Sequence, residues 1–449
     1  MLRADVRLEI SLPEDLLDVN QLVAVAQQLL SRLGVAILSQ LLIQVQEHTL
    51  EAVLGSRWSD QPQQEAPWRC PACGSNQGFR RRGSRERERL RTSVGDVEFD
   101  LLQVTCQRCQ KTFSPFVELL GLERWQQSTT ELQAQVAAQP LEQPYEKALQ
   151  TSDDSLRSTV SAMTAHRWIQ EKGQQGHFTA FADLEGATLL FDSTQVKADE
   201  NARGVATHLG IAVLDRYEQD GRPRLRTKPI AFGVDQPWKE LLAPLQGLKP
   251  ERILYDGEEG LADVLRETFP QAKQQRCLWH LPRNLYWALY QDGWRKQQSV
   301  GWQKAVSRVI YHPELTPQEA IRWMRKIIAQ LRRRGGEHGA AYLEAALDEI
   351  FTYRYHPEGL FRDRDEAALG QAMMATGPIE RQMRELNRRT DIGARWSVSG
   401  IQHLLALRLI FTFDPEQWFR LWNLPTYVPW LAQLDLQVMV RFIPNVNSL

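Results

Sequence analysis

ERILYDGEEGLADVLRETFPQAKQQRCLWHLPRNL, residues 251–285, alternates strand-forming and helix-forming patches. Ile253 to Tyr255 is a short apolar run that delivers Asp256 and Gly257 at its carboxyl end, where open α/β sheets place their chemistry. Leu261, Val264 and Leu265 supply a helical stripe, and Phe269-Pro270 stops that helix. A second strand follows through Gln274 and Gln275, after which Cys277-Leu-Trp-His280 opens an aromatic-rich helix. One acidic side chain therefore sits at a strand tip.

Working outward, Ala187 to Phe191 is another apolar strand, and it ends in Asp192-Ser193-Thr194, a second acidic tip. Ala206 to Leu214 and Leu225 to Phe232 read as two further strands joined by the polar turn Glu218 to Arg222, and Trp238 to Leu245 as a helix. Far downstream, Gly377-Pro378-Ile379-Glu380-Arg381 opens a helix with a glutamate in its first turns. Carboxylates suit a hard cation such as Mg²⁺. Two aspartates and a distant glutamate are the minimum for a two-metal phosphoryl-transfer centre.

LLFDSTQVKA around Asp192, ILYDGEEGL around Asp256, the Cys277-x-x-His280 pair followed by Arg283-Asn284, and IERQMRELNRRTDIGARWSVSG from Ile379 resemble the Mutator-like (MULE-type) DDE transposases of insertion sequences. With the cysteine-rich front end, the resemblance covers residues 65 to 410. It implies an α/β fold with an RNase H-like catalytic core, in which Asp192, Asp256 and Glu380 form the acidic triad and hold Mg²⁺ or Mn²⁺. It also implies metal-dependent cleavage and strand transfer on double-stranded DNA, at transposon terminal repeats and a target. A homodimer or higher homo-oligomer is the expected partner state. Two other readings stay open, a transposase-derived DNA-binding regulator without catalysis and a structure-specific nuclease on the same fold.

A chain of 449 residues with 43% apolar composition can bury two or three domain cores. Its formal net charge of −1 gives no global basicity, so a DNA surface has to come from local patches. No apolar run reaches membrane-spanning length, which predicts a cytoplasmic protein with no membrane contact, and the resemblance implies association with the nucleoid. Val6 to Leu12 reads as a strand, and Pro13 to Leu54 as a long helix with one broad apolar face, either packed on its own domain or used for dimerisation.

Cys70-Pro-Ala-Cys73 and Cys106-Gln-Arg-Cys109 are two thiolate pairs, the usual supply of four tetrahedral ligands for structural Zn²⁺, here as a zinc-ribbon-like module. Between them Arg80, Arg81, Arg82 and Arg85 lead a basic stretch, which serves either DNA backbone contact or a solvated strand face paired with Glu86 and Glu88. Val94 to Val97 looks like a hairpin turn. Ser128 to Glu131 is an N-cap signature, and helices over Tyr145–Leu149 and Asp153–Lys172 complete a pattern that fits a helix-turn-helix unit as well as any small helical bundle. His166 and Arg167 are its candidate DNA contacts, with Ser161 and Thr164 near the start of the last helix.

Between His280 and Glu380 the apolar residues recur at helical spacing, which predicts an all-α insertion whose aromatics are mostly core. An exposed Trp or Tyr there can stack on a base. After Glu380, Arg381, Arg384, Arg388 and Arg389 form a basic stripe, followed by Arg395, which serves either to hold DNA phosphates or as a solvated helix face. Cys277 and His280 share one helix face by spacing and are given a supporting role. The domain plan is 1–64 helical, 65–125 zinc module, 126–180 helix-turn-helix-like, 181–295 core, 296–375 insertion, 376–412 glutamate helix and 413–449 apolar tail.

Overall fold

The computed structural model describes residues 19–55, 65–123, 126–156, 160–176, 178, 184, 186–198, 201–355, 376–391 and 396–424. The strand expected over Val6–Leu12, Arg395 and the tail beyond residue 424 lie outside them. The chain is mixed α/β, with two sheets among the described residues, and no described helix is long and apolar enough to cross a membrane.

Helix α1 (Val19–Leu54) lies along a hairpin of β1 (Phe79–Thr92) and β2 (Gly95–Cys106), to which the short β3 (Thr112–Phe113) is added. Gly95 turns the hairpin with φ +133°, and a Cβ there would lie 2.6 Å from Val35 of α1, so glycine allows both the turn and the approach of the helix. Where β2 extends beyond its pairing with β3, the buried Gln46 amide of α1 takes over. Its Nε2 donates to Asp100 O and its Oε1 accepts from the Leu102 N–H, each at 2.9 Å. Helix α2 (Phe116–Leu119) closes this module with Phe116 buried against Trp68.

Helices α3 (Thr130–Glu142), α4 (Tyr145–Leu156) and α5 (Ala162–Gln175) follow. Thr129 caps α3, as the hydroxyl-rich signature predicts. The last helix does not start at Asp153, which belongs to α4. It starts at Ala162, because the Ser161 hydroxyl accepts the Thr164 N–H at 3.2 Å and fixes the cap there.

Strands β4 (Thr188–Ala198), β5 (Asn201–Gln219) and β6 (Arg222–Val234) form an antiparallel meander. After α6 (Trp238–Leu242) and a 3₁₀ turn at Ala243–Leu245, β7 (Arg252–Tyr255), α7 (Leu261–Thr268) and β8 (Lys273–Arg276) add two parallel strands, giving the order β6-β5-β4-β7-β8. Side chains alternate across the sheet: Leu189, Phe191, Ile253 and Tyr255 pack with α6 and α7, while Leu190 and Leu254 face the opposite core. β4 does not end at Asp192 as expected. It continues to Ala198 because β5 still pairs with it after its parallel partner β7 has stopped opposite Phe191.

Helices α8 (His280–Gln291), α9 (Lys296–Ile310), α10 (Pro317–Arg333), α11 (Glu337–Ile350) and α12 (Thr352–Tyr355) build a separate core around Leu285, Ile310, Met324 and Leu343. Then α13 (Gly377–Thr390), α14 (Val398–Phe413) and α15 (Pro415–Leu421) return to the sheet, and α3 and α5 pack into the same core. At the crossing of α5 and α14, a Cβ on Gly173 would lie 2.5 Å from the His403 carbonyl oxygen.

Gly173→Ala is therefore expected to destabilise the protein by about 1–3 kcal/mol, since neither backbone can yield cheaply. Gly301→Ala, in α9 with nothing within 4 Å of the added Cβ, is expected to stabilise it by up to about 1 kcal/mol. Urea denaturation of the two variants measures both. Equal effects would mean that the α5–α14 crossing has room to spare.

Candidate active site and metal centre

The register Phe191↔Tyr255 makes Asp192 and Asp256 neighbours at the end of the parallel ladder. Alternation directs Asp192 to the face of Leu190 and Leu254, which α13 covers. Asp192 is only 6% exposed. Burial first, and then the charge of Asp256, push its carboxyl up to about 7, against the opposing pull of His280 and the Ser193 N–H, which donates to Oδ1 at 2.9 Å. Asp256 is raised too, again mainly by burial, although the Glu258 N–H donates to its Oδ1 at 3.0 Å and His280 and Arg276 lower it.

Glu380 arrives on α13. Ile379, Met383 and Leu386 bury one face of that helix, while Asn387 Nδ2 donates to Thr194 Oγ1 at 3.0 Å and Gln382 Nε2 to Thr227 Oγ1 at 2.8 Å. Glu380 Oε1 lies 3.7 Å from His280 Nε2 and accepts from Thr376 Oγ1 at 3.1 Å, and its charge reaches Asp192. Glu385, five residues on and so roughly 140° around the helix, pairs instead with Arg388 at 2.8 Å and Arg408 at 3.5 Å. Cys277 is not on the helix with His280, as the spacing suggested; it lies in the turn ahead of α8 because its N–H is still bonded to the Tyr255 carbonyl at 2.9 Å. Thr376 donates its N–H to Cys277 Sγ at 3.4 Å, and its hydroxyl is 3.3 Å from His280 Nδ1. Burial opposes both ionisations, yet the Cys277 thiol is lowered by His280 and Thr376, and the His280 imidazole is raised by Cys277, Asp192 and Glu380.

Some neighbours carried no sequence signal. Glu258 of the same DGEE turn faces the other way, accepting from Trp238 Nε1 at 2.9 Å and from Ser193 Oγ, which also meets His208 Nδ1 at 2.7 Å. Arg276 packs beneath the turn: it donates to Gly257 O at 3.0 Å, and a Cβ on Gly257, whose φ is +94°, would fall 1.9 Å from its Nε. Only the adjacency of Glu258 to Asp256 could have flagged any of these.

The three carboxylates fit a cation. Their donors are hard oxygens, and burial first, then neighbouring carboxylates, raise the pKa of both aspartates, so a cation there would offset their charge. They do not all converge within 4.8 Å of one another, whereas Cys70, Cys73, Cys106 and Cys109 do. In the cysteine group Sγ of Cys70 and Cys109 are 3.5 Å apart and those of Cys73 and Cys106 3.7 Å. Tetrahedral Zn–S bonds of ≈ 2.3 Å imply edges of about 3.8 Å, so the cluster can hold zinc. Burial opposes ionisation of Cys70, but the N–H groups of Ala72 and Cys73 and neighbouring sulfurs bring its thiol to about 7. At Cys109 the Lys111 N–H pulls down, but burial and the other three sulfurs leave it pushed up to about 12, so without a cation the four thiols do not all ionise at neutral pH.

Of the basic residues, Arg80, Arg82, Arg85, His166, Arg167, Arg381, Arg384 and Arg388 show at least part of their side chains to solvent. Arg80 and Arg82 line one concavity with Gln107 and Gln110, and His166 lies edge-on to Tyr145 at 5.5 Å. Arg81 turns to α1 and pairs with Glu47 at 2.8 Å. Arg389 does not belong to the exposed stripe: it is 1% exposed, stacks on Trp396 at 4.8 Å and donates to the Pro140 carbonyl at 2.7 Å.

Compared with known proteins, the chain matches a family model described as Transposase, Mutator family, over residues 35–395. No curated protein matches it.

Asp192 sets a pH dependence. An unfolded aspartate releases its proton near 3.9, while the folded one keeps it to about 7, so in metal-free protein stability falls as pH rises from about 4 to 7 and the whole penalty persists above that. That gap corresponds to at most about 4 kcal/mol. Asp192→Asn is thus expected to raise the denaturation midpoint at pH 8 and to leave it nearly unchanged at pH 4; an equal change at both would mean that Asp192 ionises freely. Elemental analysis of protein purified without chelator is expected to find about one zinc per chain, and a metal-free folded protein would remove the cysteine assignment.

Proposed function

The chain belongs to the Mutator family of transposases, and from that premise we propose that it cuts DNA at transposon ends and joins them to a target through Asp192, Asp256 and Glu380. What carries the reading is Asp192 on β4 beside Asp256 just past the end of its parallel neighbour β7, with Glu380 brought close by α13. The strand order β6-β5-β4-β7-β8, antiparallel then parallel, supports an RNase H-like core. The exposed His166 and Arg167 on α5 support a helix-turn-helix role for α3 to α5.

Asp192, Asp256 and Glu380 would hold Mg²⁺ or Mn²⁺, which would supply Lewis-acid stabilisation of charge at the scissile phosphate and lower the pKa of the nucleophile. In cleavage a water oxygen forms the new bond to phosphorus while the 3′ oxygen leaves and takes up a proton. In joining, that 3′ hydroxyl attacks a target phosphodiester and displaces its 3′ oxygen. Both are in-line displacements, so the protein contributes no nucleophile. His280, whose imidazole is raised by Cys277 and then by Asp192 and Glu380 against its burial, lies beside the carboxylates and orients Glu380. Arg381, Arg384 and Arg388 would meet the phosphates that flank the cut. On α1, Val19, Val23 and Leu30 are 70%, 50% and 68% exposed, which supports self-association through that helix.

Asp192→Asn, Asp256→Asn and Glu380→Gln are each expected to lower Mg²⁺-dependent nicking and strand transfer by more than about a hundredfold, the equivalent of about 3 kcal/mol. DNA binding should persist. Glu385→Gln, whose carboxylate already faces arginines, should retain activity. A nicking assay with terminal-repeat DNA decides it: full activity in Glu380→Gln with loss in Glu385→Gln would move the third acid, and full activity in all three triad variants would remove the proposal.

A further inference from the structure

Helix α10 divides its surface sharply. Ala320, Met324, Ile327, Ile328 and Leu331 are buried in the insertion core. Opposite them Arg322, Arg325, Lys326 and Arg333 line one concavity with Ala329 and Gln330. At about 100° per residue the four cations fall within about 100° of arc, and their eleven-residue spread covers about 17 Å of helix.

These four charges meet no carboxylate within ion-pair distance among the described residues, while Arg332 on the same helix pairs with Glu337 and with Glu344. The acid nearest the stripe, Glu319, is committed to the helix start: it closes a capping box with Thr316, whose hydroxyl and N–H hold its carboxyl below the usual range, with a smaller contribution from Arg322. Trp323 is 50% exposed at the edge of the stripe, with Lys326 over its ring at 4.4 Å. A chain of net charge −1 has no surplus of cations to scatter, and four uncompensated ones on a single helix face repel one another. Self-repulsion of this kind is relieved by a polyanion whose charges recur along a line.

We propose that the Arg322–Arg325–Lys326–Arg333 face of α10 is a sequence-independent docking surface for the phosphate backbone of duplex DNA. It rests on the reading of the chain as a DNA-cutting enzyme and adds to it a contact surface on the insertion, away from the zinc module, α5 and α13. Along one strand phosphates recur every 3.4 Å of duplex axis, so a row of about 17 Å faces roughly five of them. Lys and Arg side chains reach phosphates without reading bases, so this contact would bring register and affinity and leave sequence choice to other parts of the molecule.

The test is the salt dependence of binding of the full chain to a fluorescein-labelled duplex of arbitrary sequence, in buffer without divalent cation. Each cation that neutralises a phosphate contributes about 0.9 to the slope of log K against log salt. The variant R322Q/R325Q/K326Q/R333Q is expected to have a slope shallower by roughly three to four, and R332Q, already neutralised by Glu344, by less than one. The pairs R322Q/K326Q and R325Q/R333Q, each expected to flatten the slope by roughly two, keep the question decidable if the fourfold variant folds poorly. A wild-type slope in the folded variants overturns the proposal, as does an equal flattening in R332Q. Mg²⁺-dependent nicking by the unaltered chain is read separately: its absence with the slope shift intact removes the enzymatic reading alone, and an unchanged slope with nicking intact removes the α10 surface alone.

Discussion

Crowding of like charge in a water-poor space is the constraint from which the arrangement follows. An uncompensated buried charge costs about 3–5 kcal/mol, and Asp192, at 6% exposure, has Asp256 and Glu380 for neighbours. The fold offers partial compensation in two forms. The N–H groups of Ser193 and Glu258 reach back to the two aspartates, which is possible because β7 ends there and its chain turns at Gly257. His280 adds an imidazole raised by the same carboxylates it faces. Neither removes the excess, since both aspartates remain raised, and a divalent cation is the partner whose charge and oxygen preference would.

Glu380 lies 124 residues beyond Asp256 (380 minus 256), so its placement rests on how α13 docks. At the start of the helix, Thr376 ties the chain to Cys277 and His280 just past β8. Along its length, Gln382 and Asn387 bond to Thr227 and Thr194 on the sheet. At its end, Arg389 reaches the Pro140 carbonyl, and Arg408 from α14 reaches that of Leu141, so two guanidinium groups complete the carboxyl end of α3. The Cys-x-x-His pair thus acts as a clasp on the glutamate helix, which explains its chemistry without assigning it a metal.

Local patterns carried the elements well. The hairpin turn at Val94-Gly95, the strand at Ile253–Tyr255 and the break at Phe269-Pro270 each depend on residues a few positions apart, and such signals are written locally. What spacing missed depends on partners distant in sequence. β4 runs past Asp192 because β5 is there to pair with it. Arg389 has the spacing of a solvated stripe but is covered by α3 and Trp396. Arg81 faces Glu47, 34 residues earlier, where periodicity along the strand says nothing. For the candidate site, the position of Asp256 just past β7 was legible, whereas Asp192 lies within β4, and Thr376, Arg276 and the opposite orientation of Glu258 follow from packing alone.

The insertion also reaches into the site. Arg276, at the end of β8, lies over the rings of Tyr255 and of Tyr342 on α11, at 5.7 and 5.2 Å, and holds the Gly257 carbonyl. Tyr255 donates its hydroxyl to Glu349, also on α11, and Glu349 in turn accepts from Arg266 of α7 at 2.8 Å. Glu349 is 6% exposed, so replacing Arg266 would leave its carboxylate buried beside Tyr255 without that ion pair. The two sides of the carboxylate cluster are therefore set by different segments: α11 braces the Asp256 turn through Arg276 and Tyr255, while Thr376 and the sheet position Glu380. A bulkier residue at Gly257 would have to displace Arg276 and with it the contact to Tyr342. The spacing between Asp256 and Glu380 thus depends on how the insertion is seated against β7 and β8, which gives a helical domain a direct hold on the geometry of the carboxylate cluster.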